Sequence, residues 1–171
     1  MGFTIKAAGI PDFKRIQEIE LAAFETLRSA GAVSGKAEAS SDEELFRYLE
    51  DNLLLAAFDA GGELLGYAGA YAAGTDLHIG EMDVDPRFQR RGVGRSLISA
   101  FLAEGGRRKL RAVTLTTDRF APFNAPFYAS MGFQLLEGSE IPERLKAILD
   151  GEVGRGFDPA RRVAMIFPLA Q

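Results

Sequence analysis

Residues 84–95 place four arginines and two glycines where a predicted strand leads into a predicted helix; they read Val-Asp-Pro-Arg-Phe-Gln-Arg-Arg-Gly-Val-Gly-Arg. The first amides of a helix have no acceptor inside it and lie at the positive end of its dipole. Such amides bind phosphate or pyrophosphate, and neighbouring arginines add positive charge. No Gly-Lys-Ser/Thr follows, so this is not a Walker loop, and the third glycine of a dinucleotide fingerprint is missing. A solvated basic turn before an ordinary helix explains the charges equally well.

Composition narrows the classes of partner. The chain has 171 residues, a net charge of −4, no cysteine and a single histidine, His78. An acidic chain is not expected to bind nucleic acid or membranes broadly. Without cysteine there is no disulfide, thiolate ligand or cysteine nucleophile, and one histidine excludes a multi-histidine site, so we expect no metal. No apolar run reaches about 18 residues and no signal peptide is visible, so a cytoplasmic protein is expected.

Hydrophobic periodicity predicts strands and helices within one domain, residues 1–171. Helical spacing follows Pro11-Asp12, and Ser41-Asp42-Glu43-Glu44 has the form of a capping box. The predicted strands cover residues 3–7, 52–60, 63–73, 77–84, 112–117, 133–137 and 162–169. Predicted helices begin near residues 12, 42, 92, 125 and 142, and Gly105-Gly106 is expected to end the third. This order predicts an α+β fold in which a mixed sheet carries helices on both faces.

A second motif lies about 40 residues beyond the first. Residues 127–133 read Phe-Tyr-Ala-Ser-Met-Gly-Phe, and residues 89–94 read Gln-Arg-Arg-Gly-Val-Gly. Together they resemble the two signatures of the GNAT superfamily of N-acetyltransferases, Gln/Arg-x-x-Gly-x-Gly/Ala and aromatic-Tyr-x-x-hydrophobic-Gly-Phe. The resemblance is sharp over residues 75–135. It implies a central, mostly antiparallel mixed sheet, to which this chain adds an extra helix near 142–151 between its last two strands.

The resemblance also implies a co-substrate, acetyl-CoA, whose pyrophosphate the loop would hold. Strands 77–84 and 112–117 would splay apart, and an amide near residues 82–84 would polarise the thioester carbonyl. Many members have a CoA-contacting asparagine seven residues before the tyrosine, where this chain has Ala121. Asn124 lies four before it, and is interpreted first as a helix cap and second as a donor contact. The implied donor-binding residues are Met82, Asp83, Val84, Gln89, Arg90, Arg91, Gly92, Val93, Gly94, Arg95 and Asn124.

Acetyl transfer to an amine requires control of two protons. An alkyl amine with a pKa of about 10 is mostly protonated at neutral pH, so a base must remove its proton and an acid should protonate the leaving thiolate. Tyr128 matches the family's acid. The base candidates are Glu81, Asp83 and His78, and strict alternation puts the two carboxylates on one face and His78 on the other unless a bulge intervenes. Glu81 is favoured and His78 is second, although the carboxylates could equally attract a cationic amine without taking its proton.

The sequence thus favours an acetyl-CoA-dependent N-acetyltransferase in which an amine attacks the thioester directly in a ternary complex. The expected acceptor is a small-molecule or peptide amine. An acyl-CoA-binding sensor without significant turnover is the alternative, and a nucleotide- or phosphate-binding module is a third interpretation. Dimers are common in the family, so a homodimer is an expectation from the resemblance alone. Nothing in the sequence identifies the acceptor.

Overall fold

The computed structural model describes residues 2–170, which form seven strands and five α-helices. The strands are β1 (Phe3–Ala7), β2 (Leu54–Asp59), β3 (Leu64–Ala73), β4 (Asp76–Val84), β5 (Ala112–Asp118), β6 (Gln134–Leu136) and β7 (Arg162–Pro168). The helices are α1 (Phe13–Ser29), α2 (Asp42–Glu50), α3 (Val93–Arg107), α4 (Ala125–Ser130) and α5 (Glu143–Gly154). The predicted order of elements, including the extra helix before the last strand, is confirmed. No helix within residues 2–170 is long and apolar enough to cross a bilayer.

One sheet carries all seven strands, in the order β1-β2-β3-β4-β5-β7-β6. The β4–β5 pair is parallel and the other pairs are antiparallel. The predicted mixed, mostly antiparallel sheet is therefore confirmed. Helix α5 lies on the connection between β6, at the edge of the sheet, and β7, which inserts between β5 and β6.

Each face of the sheet has its own apolar core. On one face, α3 buries Val93, Leu97 and Phe101, which recur every four residues and pack with the inward side chains of β4 and β5. On the other face, α1 contributes Ile16 and Ile19 to a second core that also contains apolar residues of α2, β2 and β3. The Ser41 capping box is confirmed and fixes where α2 begins. Helices cover both faces, as predicted.

Strands β4 and β5 form a fork. They pair only over Asp76–His78 and Ala112–Thr114, although both strands continue well past these residues. Beyond the pairing, the facing edges of the two strands diverge and leave backbone groups without a strand partner. The fork opens toward the residues that connect β4 to α3.

A β-bulge at Gly80 changes the phase of β4. Glu81 pairs with Gly69 and Ile79 pairs with Ala70, so Gly80 is the extra residue of the strand. Directly paired residues on antiparallel strands project to the same face. His78, which pairs with Tyr71, therefore lies on the same face as Glu81. Strict alternation, which places His78 on the other face from the carboxylates unless a bulge intervenes, therefore does not hold in β4, because a bulge does intervene.

The predicted stop of α3 at Gly105-Gly106 is also wrong. The helix runs through both glycines to Arg107, and Lys109, at φ 57°, marks the reversal that follows. A Cβ on Gly105 would lie 2.8 Å from Cδ1 of Leu169. Gly105 therefore allows close packing against the C-terminal segment instead of ending the helix.

Candidate active site

A cleft of about 1300 Å³ runs through the fork between β4 and β5. One half is lined by the start of α3 and by α4, and we call it the donor half. The other half is lined by α1, α2, α5 and the segment 31–40, and we call it the acceptor half. Because the strands diverge, both halves reach the same stretch of β4 backbone.

The start of α3 offers three unpaired amides to the donor half. Ser96 makes the first intrahelical bond, to the carbonyl of Gly92 at 3.0 Å, so the N–H groups of residues 93–95 have no acceptor within the helix. Gly92 precedes them at φ 86°, in the left-handed region that favours glycine. The Val93 side chain is buried in the α3 core. Val93 can therefore face the cleft only through its backbone.

Gly94 lines the cleft although protein packing leaves room for a side chain. A Cβ at this position would lie 3.5 Å from Cε of Met82 and 3.8 Å from the Phe127 ring, which are ordinary contacts. Its φ is not in the positive region. Neither strain nor crowding within the chain requires a glycine here, which leaves close approach of a ligand to the backbone as the physical reason for it.

Only some of the arginines in residues 84–95 line the cleft. Arg90 and Arg95 line it and form no ion pair within residues 2–170. Arg87 instead pairs with two carboxylates outside the cleft, so its charge is neutralised there. Arg91 sits over the Phe88 ring, 5.6 Å from its centroid, and is not among the residues that line the cleft. Of the four arginines in residues 84–95, Arg90 and Arg95 are therefore the two that line the cleft.

Two amide side chains near the donor half point back at the protein. Gln89 donates from Nε2 to the Val84 carbonyl at 3.1 Å and so ties the loop to the end of β4. Asn124 donates from Nδ2 to Oγ1 of Thr117 at 2.8 Å, and its Oδ1 is buried without a hydrogen-bond partner within residues 2–170. Asn124 begins α4 through its carbonyl, which accepts from Tyr128 N, and not through its side chain. Asn124 is therefore the N-cap residue of α4, as predicted, although its side chain makes no capping hydrogen bond.

Tyr128 closes the donor half from α4. Its ring is 7% exposed and packs edge-on against Phe127 and Phe133, with centroids 5.1 Å and 5.7 Å away. Burial, followed by the negative charges of Asp83 and Glu81, raises the pKa of the Tyr128 phenol above its usual range. The hydroxyl is therefore protonated at neutral pH and is electrostatically coupled to carboxylates across the fork.

Three carboxylates meet at the inner end of the acceptor half. Oxygen atoms of Glu20, Glu81 and Asp83 lie within 4.8 Å of one another, a spacing that could hold a metal ion. Glu20 already accepts hydrogen bonds from the backbone and hydroxyl of Ser40, at 2.7 Å and 2.6 Å, and from the Tyr67 hydroxyl. Its oxygens thus tie the segment after α1 to the sheet. Glu81 and Asp83 have no such partner within residues 2–170.

The proximity of these charges changes how they titrate. The Glu81 side chain is exposed to the cleft but has protein packed around it, and this partial loss of hydration, followed by the charge of Glu20, raises the pKa of Glu81 to about 7. Burial and the charge of Glu81 raise the pKa of Asp83 as well. Arg162 on β7 acts in the opposite direction on Glu81. The pair therefore holds a proton more readily than ordinary carboxyls do.

His78 lies at the base of the fork, where its ring is fixed by neighbours. Nδ1 is 2.9 Å from Oγ1 of Thr114, and the ring stacks at 5.2 Å on Tyr71. Burial, followed by the charges of Arg144 and Arg47, lowers the pKa of His78 to about 3. The imidazole is therefore neutral across the physiological range and a weak base.

Helix α5 forms a wall of the acceptor half. Glu152 accepts hydrogen bonds from Thr116 at 2.5 Å and from Arg162 at 2.7 Å. At the other end of the helix, Arg144 bonds Thr114 at 3.1 Å. These contacts hold α5 against β5 and β7, where it lines the cleft between residues 147 and 152.

Glu20 and Glu152 of the acceptor half were not identified from the sequence, and only Glu20 carried a signal that could have revealed it. Glu20 falls on the apolar stripe of α1 that includes Ile16 and Ala23, and a carboxylate in that position indicates a buried polar role. Glu152 gives no such signal, because its partners lie on two other elements. Sequence spacing alone could not have placed it.

The comparison with known families agrees with this arrangement. The sequence profile described as the acetyltransferase (GNAT) family matches residues 13–133, from the start of α1 to the end of the second motif. The chain belongs to this family. The expectation of an acyltransferase of the GNAT class is thereby confirmed.

Solved GNAT structures share the fold over the whole chain. An N-acetylglutamate synthase from Neisseria gonorrhoeae, in complex with coenzyme A and N-acetyl-glutamate, superposes with a TM-score of 0.73 at 17% identity over 100% of this chain, which spans 36% of that protein. The ribosomal-protein-S18-alanine N-acetyltransferase of Escherichia coli gives 0.70 at 19% identity, covering 99% of this chain and 96% of that one. A phosphinothricin acetyltransferase from Sinorhizobium meliloti, in complex with AcCoA, gives 0.69 at 19% identity, covering 99% and 90%. At these identities the likeness shows the fold.

Proposed function

We propose that this chain is an acetyl-CoA-dependent N-acetyltransferase in which an amine attacks the thioester directly within a ternary complex. One observation carries the proposal. A single cleft joins the unpaired helix-start amides of α3 to a protonated phenol and to two carboxylates that have no partner within residues 2–170. Acetyl transfer from CoA to an amine requires these three functions: binding of an anion, donation of a proton and acceptance of a proton.

The donor half fits the diphosphate of acetyl-CoA. Backbone amides of residues 93–95 would hold it, Gly94 would let it approach, and Arg90 and Arg95 would add charge. The buried, unpartnered Oδ1 of Asn124 and the free edge of β4 are further polar groups available to the rest of the molecule. When bound, acetyl-CoA supplies the activated acetyl group.

The two protons are assigned to opposite faces of the fork. Glu81, with a pKa of about 7, accepts the proton that the amine loses, because a base titrating near neutral pH combines ionisation with useful basicity. Tyr128 donates its hydroxyl proton to the departing thiolate. His78 is assigned no proton transfer, since burial and two arginines hold its pKa far below neutral. The amide nearest the thioester carbonyl is assigned to residues 82–84.

The acceptor is proposed to be a cationic amine on a small molecule or a peptide. The carboxylates of Glu81 and Asp83 attract such a group before either takes its proton. The structural neighbours are named for different acceptors, an amino-acid synthase, a ribosomal-protein alanine transferase and a phosphinothricin transferase among them. Their names therefore support an amine in general and no particular compound.

Amine-dependent release of free CoA tests the proposal. Purified protein is mixed with acetyl-CoA and a panel of polyamines, amino acids, aminoglycosides and peptides, thiol release is followed, and the product is identified by mass spectrometry. The proposal predicts an acetylated amine in equal amount to the CoA released. Saturable acetyl-CoA binding without turnover on any amine would favour the alternative, an acyl-CoA sensor.

A further inference from the structure

The Tyr48 ring of α2 occupies a seat formed by two glycines on neighbouring strands. A Cβ on Gly69 of β3 would lie 2.2 Å from the ring, and a Cβ on Gly80 of β4 would lie 2.4 Å from the Tyr48 hydroxyl oxygen. Neither glycine has a positive φ, so their backbones do not require glycine. The tyrosine itself is the reason that both positions lack a side chain.

This seat places the Tyr48 hydroxyl beside Glu81. Gly69 pairs directly with Glu81, so the ring that covers Gly69 and the Glu81 side chain lie on the same face of the sheet. The hydroxyl end of the ring lies over Gly80, the residue immediately before Glu81. The charge of Glu81 also contributes, after burial, to a raised Tyr48 pKa, which agrees with this proximity.

The ring of Tyr48 is mostly buried, but its hydroxyl makes no hydrogen bond to the protein within residues 2–170. Tyr48 is 7% exposed and lines the cleft. Tyr67, on the same face, donates to Glu20. A hydroxyl on a mostly buried ring that lines the cleft and makes no hydrogen bond within residues 2–170 can bond a group that arrives with the substrate.

We infer that Tyr48 positions the acceptor amine: when the amine binds, the Tyr48 hydroxyl accepts a hydrogen bond from the amine N–H and turns its own hydrogen toward the Glu81 carboxylate. One hydroxyl can do both, because it has one donor and two acceptor lone pairs. Tyr128 reaches the fork from one face and Tyr48 from the other, so the reacting groups lie between two phenols. The inference rests on the proposed N-acetyltransferase function and adds an acceptor-side residue to it.

The charged groups around this pair come from every element that packs against it. They are Glu20 of α1, Glu44 and Arg47 of α2, Asp83 of β4, Glu152 of α5 and Arg162 of β7. Replacing Tyr48 by phenylalanine changes none of them and keeps the ring in its glycine seat. The substitution thus removes the Tyr48 hydroxyl and leaves every neighbouring charged side chain in place.

The test compares the steady-state kinetics of wild type, Tyr48→Phe and the control Glu50→Gln, an exposed position of α2 outside the cleft. We expect Tyr48→Phe to raise the acceptor KM about 10-fold, as for loss of one hydrogen bond to a charged group, and to leave the acetyl-CoA KM unchanged. The acidic limb of its pH profile of kcat, which reports the bound complex, should move to higher pH, because the Glu81 carboxylate loses the donor that it has when the amine is bound. Glu50→Gln should match wild type.

The outcomes separate this inference from the proposed function. A wild-type acceptor KM in Tyr48→Phe overturns the positioning role while leaving the N-acetyltransferase function intact. An equal rise in the KM of acetyl-CoA and of the acceptor also overturns it, since that result indicates general disturbance of the fork. If the wild-type protein acetylates no amine, the proposed function itself fails and the inference fails with it.

Discussion

The two halves of the cleft are built in different ways. The donor half comes mainly from one continuous segment, the loop before α3 and its first turn, whose backbone amides have no acceptor within the helix. The acceptor half is assembled from side chains of α1, α2, β4, α5 and β7, which are far apart in the chain. A site formed by one continuous segment can be retained while the rest of the sequence changes. A site formed by side chains from several elements can change its specificity when residues on any one of those elements are substituted.

The strongest test of the donor half is a large side chain at Gly94. We expect Gly94→Leu to weaken acetyl-CoA binding about 1,000-fold, about 4 kcal/mol, because the side chain would fill the space in front of the unpaired amides. Calorimetric titration measures the change in Kd. Gly106→Leu is the matched control, since Gly106 lies on the same helix in open space and its substitution should alter Kd by no more than about twofold. Equal affinity in the two variants would remove the loop from the donor site.

Tyr128→Phe tests the phenol that joins the two halves. Its ring contacts with Phe127 and Phe133 are retained, so only the proton donor is lost. We expect kcat to fall about 100-fold with little change in the Kd of acetyl-CoA. Stopped-flow and steady-state thiol release measure the rate, and a wild-type rate would show that water or another group protonates the sulfur.

Glu81→Gln tests the base on the acceptor side. With a pKa of about 7, half of Glu81 is ionised near pH 7 in the wild-type protein, and the rate should rise with pH through this range. The variant should lose that limb, and the deficit should grow from about 50-fold near pH 7 to about 100-fold near pH 8.5. An acidic limb that persists unchanged in the variant would exclude Glu81 as the base.

His78→Gln should affect stability more than chemistry. Because the folded-state pKa of His78 is lowered to about 3, the unfolded chain binds a proton below about pH 6.5 that the folded protein does not, and stability falls as pH falls. Between about pH 7 and about pH 5.5 the wild type should lose about 1.3 kcal/mol more than His78→Gln. Urea unfolding at both values measures this. Identical pH dependence in the two proteins would contradict the buried neutral imidazole.

Donor and acceptor halves also differ in what the sequence predicts. The two motifs, at residues 89–94 and 127–133, and the order of elements follow from local patterns, and the fold confirms that order. The face of the sheet on which His78 lies could not be predicted from the residues around it, because the bulge at Gly80 depends on how β4 pairs with β3. The seat of Tyr48 is equally non-local, since it needs glycines on two strands. Arg87 of the first motif is paired with Asp85, two residues before it, and with Glu63, and only the Glu63 contact comes from another segment of the chain.

The central claim is that main-chain amides at the start of α3 bind the diphosphate of acetyl-CoA, and amide NMR tests it residue by residue. We predict that titration with acetyl-CoA produces saturable shifts concentrated at the amides of residues 92–95, with a second group along residues 82–84. Saturable binding that leaves residues 92–95 unshifted, or the absence of any saturable shift in folded protein, would contradict the account.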